Sequence, residues 1–168
     1  NRTSAWPFVR DFYRGVSAYF MKDDHDVLKN DSYPGETYGA LTFDQGRAIE
    51  LEQLPMPTQP PYRTLRWGRD VQLWLLEGRE FRSPGDTPDH PGKTLLGAEQ
   101  KRWLFDSMRA STAAFRLVIS GDAIVGPDVD YKSGDKGDSL GNESFQTEGD
   151  EVRRFLGSLE NALVISGD

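Results

Sequence analysis

No cysteine occurs among the 168 residues of this chain. Disulfides, thiolate nucleophiles and cysteine-bound zinc are therefore excluded, and any metal must be held by oxygen or imidazole. Imidazole is itself scarce, His25 and His90 being the two histidines present. Positive charge is in the minority: 20 Lys and Arg face 27 Asp and Glu, a net charge of -7. Such a chain lacks the clustered cations that neutralise a phosphate backbone, so a stable nucleic-acid scaffold is not an expected partner. Apolar runs are short, and none approaches the roughly 18 residues that a membrane-spanning helix needs. What is present is a 36% hydrophobic content with four Trp, six Tyr and nine Phe, enough for one well-packed core. Residues 1–168 read as part of a single domain.

Periodicity supplies the elements. Trp6, Phe8, Val9, Phe12 and Tyr13 have helical spacing over residues 4–16, with Pro7 in the first turn where it is tolerated. "AYFM" at 18–21 reads as a short buried strand, and turn formers from Lys22 to Ala40 read as a loop. Thr42 and Gln45 have capping-box spacing, which predicts a helix from Phe43 to about Leu54 with Gly46 as its weak point. "QLPMPTQPPY" holds four prolines and cannot be regular structure. Two apolar stretches across Gly68-Arg69-Asp70 predict a hairpin whose second strand is buried, followed by the loop "FRSPGDTPDHPG". Gln100, Trp103, Leu104, Ser107 and Met108 share one face of a helix over 98–110. "FRLVIS" at 115–120 reads as a buried strand and residues 121–150 as a long acidic loop at the surface or at an active site. Val152, Phe155, Leu156 and Leu159 mark a further helix, and "ALVISGD" reads as a second buried strand. Strand, helix, strand predicts an α/β fold, a layered sandwich with a central mixed β-sheet flanked by helices.

"LVISGD" occurs at 117–122 and again at 163–168, each copy handing an aspartate to whatever follows a strand. In open α/β sheets ligands gather beyond the carboxyl ends of the strands, and Asp23, Asp24, Asp122 and Asp168 all occupy such ends. Asp23, Asp24 and Asp26 fall within four residues around His25, in "KDDHDV". Crowded carboxylates repel unless a cation or a shifted pKa offsets them, and a hard divalent or trivalent ion does so most simply. His25 beside them is suited to proton transfer near neutrality, whereas His90 sits in a proline-rich surface loop. The acidic loop at 126–150, which contains Asp128, Asp138 and Asn142, offers no EF-hand register.

"DDHD" with "KNDSYPG" downstream resembles the DDH[DE]…N motif of the PhoD-like (alkaline phosphatase D) branch of the metallophosphatases. "LRWGRDVQLWLLEGREFRSP", "LLGAEQKRWLFDSM", "FRLVISGDAIVGPD", "TEGDEVRRFL" and the closing "ALVISGD" resemble successive blocks of that family, in order, over residues 15–168. The resemblance implies a metal-dependent hydrolase of phosphate esters. It makes Asp23, Asp24 and Asp168 metal ligands and His25 the acid that protonates the leaving group. Asn30 and Arg79 become substrate-binding residues, with Asp31, Arg82 and Asn142 as further polar neighbours. The implied cofactors are calcium, iron or other hard cations. The implied reaction is in-line attack on phosphorus by a metal-activated hydroxide, with two ions about 3.5–4 Å apart.

A complete site of this family also carries an Asp-bearing block before DDHD and histidines after the final GD. The resemblance therefore implies an internal segment of a larger enzyme, one that is exported to the periplasm, cell surface or medium. Two other classes fit the residues alone. A non-catalytic acidic module would hold calcium with the same carboxylates, and a glycosidase would use a carboxylate pair as acid and nucleophile.

Overall fold

A computed structural model of the chain describes residues 6–57, 60–126, 128–130, 134–135 and 137–167. In order, the elements are α1 (Pro7–Gly15), α2 (Asp24–Val27), β1 (Thr37–Tyr38), β2 (Leu41–Thr42), α3 (Phe43–Gln53), β3 (Arg63–Trp67) and β4 (Val71–Leu75). These are followed by α4 (Ala98–Ala110), β5 (Phe115–Ser120), β6 (Val129–Asp130), β7 (Gly134–Asp135), α5 (Gln146–Gly157) and β8 (Ala162–Ser166). The main sheet has the order β3-β4-β5-β8. Its first pair is an antiparallel hairpin turning through Gly68 at φ 62°, and the other two pairs are parallel. Two successive βαβ crossovers, β4-α4-β5 and β5-α5-β8, advance in one direction across the sheet. Right-handed connections then put both helices on the same face, where the rings of Phe105 and Phe155 stack with centroids 4.0 Å apart.

The core lies between that face and the two helices. Trp74 and Val118 of the sheet pack with Leu104 and Met108 of α4, Val152 and Leu156 of α5, and Leu95, Leu96, Leu140 and Phe145 of the loops. The face expected for α4 is the buried one: Gln100, Leu104 and Met108 point inward, and Ser107 Oγ accepts from Trp74 Nε1 at 2.9 Å. The repeated "LVIS" runs are sheet neighbours in register, Leu117 opposite Leu163 and Ser120 opposite Ser166. The two Gly-Asp pairs therefore follow adjacent parallel strands.

Several expectations change. Residues 18–21 form no strand; Tyr19 is exposed, and the segment is tied to the hairpin where Arg63 Nη2 donates to the Phe20 carbonyl at 2.8 Å. The stretch 22–40, read as loop, contains the single turn of α2 and β1, whose partner β2 follows directly after it. β8 is an edge strand with Leu163 and Ile165 about half exposed, because they lie on the sheet face opposite α4 and α5. α1 forms as its periodicity requires but buries none of its residues. α5 begins at Gln146, and a 3-10 turn at Glu143–Phe145 precedes it, so the loop after β5 is shorter than expected. Among the described residues, no helix is long and apolar enough to cross a membrane.

α3 carries the capping box legible at Thr42 and Gln45, each side chain accepting from the other's backbone N–H at 3.2 and 2.9 Å. Gly46, the apparent weak point, is required: a Cβ there would meet the Val27 carbonyl oxygen at 1.8 Å. Its absence lets α3 press against α2, which carries the acidic motif.

Candidate functional site

The acidic motif is first a piece of helix chemistry. Asp23 caps α2, its Oδ1 accepting from Asp24 N at 2.9 Å, while Asp26 Oδ2 accepts from Asp23 N at 3.0 Å. Two of the three crowded aspartates thus satisfy the backbone donors that open a helix. Asp24 points elsewhere. Its Oδ2 accepts from Asp31 N at 2.8 Å and its Oδ1 from His25 N at 2.6 Å. Burial works against the Asp24 charge, but those two N–H donors and Arg79 outweigh it and hold the carboxyl below its ordinary range.

Asp24, Asp31 and Asp138 each offer a carboxylate oxygen, all within 4.8 Å of one another. Asp31 sits in the left-handed region at φ 56°, a conformation that Asp tolerates better than most side chains. Asp138, 3% exposed, is pushed up to about 6 by burial and by Asp31 beside it. Asp31 Oδ1 and Asp138 Oδ1 are buried without a hydrogen-bond partner. Three hard oxygen donors, two of them on carboxylates with an unpartnered oxygen, are the donor set that a hard cation takes. Asn30, Asp31, Tyr33 and Asp138 line a cavity of about 400 Å³ beside the cluster.

Arg79 lies beneath these acids and is 1% exposed. Its Nε donates to Asp23 Oδ1 at 2.7 Å, its Nη2 donates to Asp122 Oδ1 at 2.7 Å, and Nη2 lies 3.9 Å from Asp24 Oδ2. Arg82 Nη1 also approaches Asp122 Oδ1, at 3.4 Å, and its Nη2 donates to the Asp138 carbonyl. Burial disfavours the Arg79 charge, but Asp122, Asp23 and Asp24 together raise its pKa. Asp122 is pushed up to about 7 by burial, against the pull of both guanidinium groups. Two guanidinium donors on one oxygen fit the ionised carboxylate, and we take the Arg79–Asp122 pair as charged at neutral pH. Room for Asp122 comes from Gly78, where a Cβ would meet Asp122 Oδ2 at 1.9 Å. The turn that carries Arg79 is held by α4: Gln100 Oε1 accepts from Glu77 N and Gln100 Nε2 donates to Glu77 O, both at 2.8 Å.

The residues singled out in the sequence are therefore distributed as follows. Asp24 is in the carboxylate cluster. Asp23 caps α2 and is paired with Arg79 rather than joining the cluster. Asn30 is exposed, donates to Asp31 Oδ2 at 2.7 Å and lines the adjacent cavity. His25 is exposed and lines a different cavity, with Asp26 and Glu50. Asp168 lies outside the described residues. Asn142 braces its own loop, taking donors from Ser139 N and Oγ and donating to the Asp128 carbonyl. Sequence reasoning gave Asp31 only a secondary place and missed Asp138, which is 107 positions beyond Asp31 in a loop with no motif of its own.

Residues 7–168 match the sequence profile of the PhoD-like phosphatase family. Alkaline phosphatase D of Bacillus subtilis (strain 168) is 28% identical over a 120-residue alignment covering 57% of this chain and 21% of that protein. A solved structure titled "Structure of PhoD" superposes with a TM-score of 0.68 at 23% identity, covering 87% of this chain and 33% of the other. The chain thus spans about a fifth of the curated relative and a third of the solved one. With the profile match running across nearly its whole length, this chain belongs to the PhoD-like phosphatase family.

Proposed function

We propose that the chain carries part of the site of a metal-dependent phosphoester hydrolase. The observation that carries this reading is the convergence of Asp24, Asp31 and Asp138 within 4.8 Å, with unpartnered oxygens on Asp31 and Asp138. Family membership and the matched alkaline phosphatase D support it. These three aspartates would hold a hard cation, with Asp168 proposed as a further ligand from the motif. When bound, the cation would supply Lewis-acid neutralisation of charge on the phosphoryl oxygens and activation of water.

The chain's own residues divide the remaining work. The His25 imidazole N–H donates its proton to the leaving-group oxygen, from a solvent-accessible position at the second residue of α2. The Asn30 amide, at the mouth of the cavity, offers donors to a phosphate oxygen. Arg79 neutralises Asp23 and Asp122 and so fixes the end of α2 that presents Asp24. A direct substrate role for Arg79 would use Nη1, its donor without a partner.

The test uses the intact protein with p-nitrophenyl phosphate and bis(p-nitrophenyl) phosphate. Hydrolysis should stop with a chelator and return with added calcium or iron. Asp24→Asn and Asp138→Asn should lose cation binding and turnover together. Full turnover in the presence of chelator would remove the reading, as would wild-type cation affinity in both variants.

A further inference from the structure

His25 and Asp26 line a cavity of about 330 Å³, whose other walls are Ile49, Glu50, Gln53 and Leu54. Glu50 is unusual within α3. It is 5% exposed, and both of its carboxylate oxygens are buried without a hydrogen-bond partner. Leaving a buried acceptor unmatched costs free energy that a native structure normally avoids. The cations nearby are already committed. Lys22 Nζ sits 2.6 Å from both Glu77 Oε2 and Glu80 Oε1, and Arg47 Nε is 2.7 Å from Glu80 Oε1. Glu77 and Glu80 therefore take the close pairing of Lys22 and Arg47, and the deficit falls on Glu50.

We infer that this cavity binds a primary ammonium group carried on a short alkyl stem. The missing positive charge is matched by the ammonium, and Ile49 and Leu54 give the stem an apolar wall. A bare metal ion suits the cavity poorly. Among the described residues, the one set of three candidate ligand atoms within 4.8 Å of one another is Asp24, Asp31 and Asp138, without His25, Asp26 or Glu50. Burial, with Asp26, Glu77 and Glu80 adding to it against the pull of Lys22, pushes the Glu50 carboxyl up to about 7. Near neutrality the incoming ammonium then displaces a proton: the carboxyl ionises, the ammonium takes its place beside it, and one proton passes to the buffer for each fully protonated site filled.

The experiment is titration calorimetry of the intact protein with n-butylammonium chloride at pH 6.5, in two buffers of different ionisation enthalpy. We expect millimolar binding with proton release. We expect 1-butanol, which lacks the charge, to bind at least about tenfold more weakly, the scale of one charge-assisted hydrogen bond. Glu50→Gln should weaken butylammonium at least as much and abolish the proton release. Gln53→Lys, at an exposed position on the cavity wall, should block binding by supplying an ammonium in place, and it keeps the idea testable if the Glu50 variant folds poorly. Equal affinity for butanol and butylammonium, or undiminished binding by both variants, would overturn the inference. Because the readout is binding and not turnover, its failure and failure of the hydrolase reading are distinguishable.

Discussion

Replacing Glu50 by Gln probes the buried charge on α3 through stability alone. The carboxyl rises from an ordinary 4.5 to about 7 in the fold, a gap of about 2.5 units, or about 3 kcal/mol at roughly 1.4 kcal/mol per unit. The sign follows from proton binding. Between these two values the folded state holds a proton that the unfolded state has lost, so stability falls as pH rises. The penalty is absent below about 4.5, grows through the interval and is complete above about 7. The neutral amide of the Glu50→Gln variant carries no such dependence, and its own cost of burial is the same at every pH. Urea unfolding of both proteins at pH 4.5, 5.5, 6.5 and 8 should therefore show the variant gaining about 3 kcal/mol relative to wild type between the lowest and highest pH. Other titrating groups are common to both proteins and cancel in the comparison. Parallel stability profiles would refute the reasoning, because they would mean that Glu50 ionises without penalty and needs no ligand.

Arg79→Ala should cost about 3–5 kcal/mol in urea unfolding, since it strands the Asp122 charge in the interior and unties Asp23. Arg79→Lys should recover only part of that, because one ammonium cannot reproduce the guanidinium fork. Gly46→Ala should cost about 1–3 kcal/mol by forcing α3 away from Val27, and cation affinity measured by calorimetry should fall with it as α2 shifts. His25→Ala should keep the cation affinity of the intact protein but lower kcat by about 10²–10⁴ if the imidazole donates the proton; an unchanged kcat would remove His25 from that role.

Local chemistry was legible wherever neighbours in sequence decide the outcome. The Thr42–Gln45 box, the Gly68 hairpin and the apolar face of α4 depend on residues three or four apart, and each forms as its spacing requires. The two "LVIS" runs were recognisable as strand ends. That they lie side by side in register is a pairing across 46 positions, set by the α5 crossover. Burial proved least predictable, since Tyr19 and, on β8, Leu163 and Ile165 are apolar enough for the interior yet stand about half exposed.

The same division holds at the site. Sequence alone determined that an acid-rich turn with a histidine follows an apolar segment, and that oxygen must be the main ligand type, because composition and short-range order fix both. The tertiary structure decided which acids serve which purpose. Asp23 and Asp26 cap a helix, Asp122 neutralises buried arginines, and Asp24 meets Asp31 and Asp138. The energy of a carboxylate depends on the charges, donors and water within a few ångströms of it, and folding brought those neighbours from segments more than a hundred residues apart.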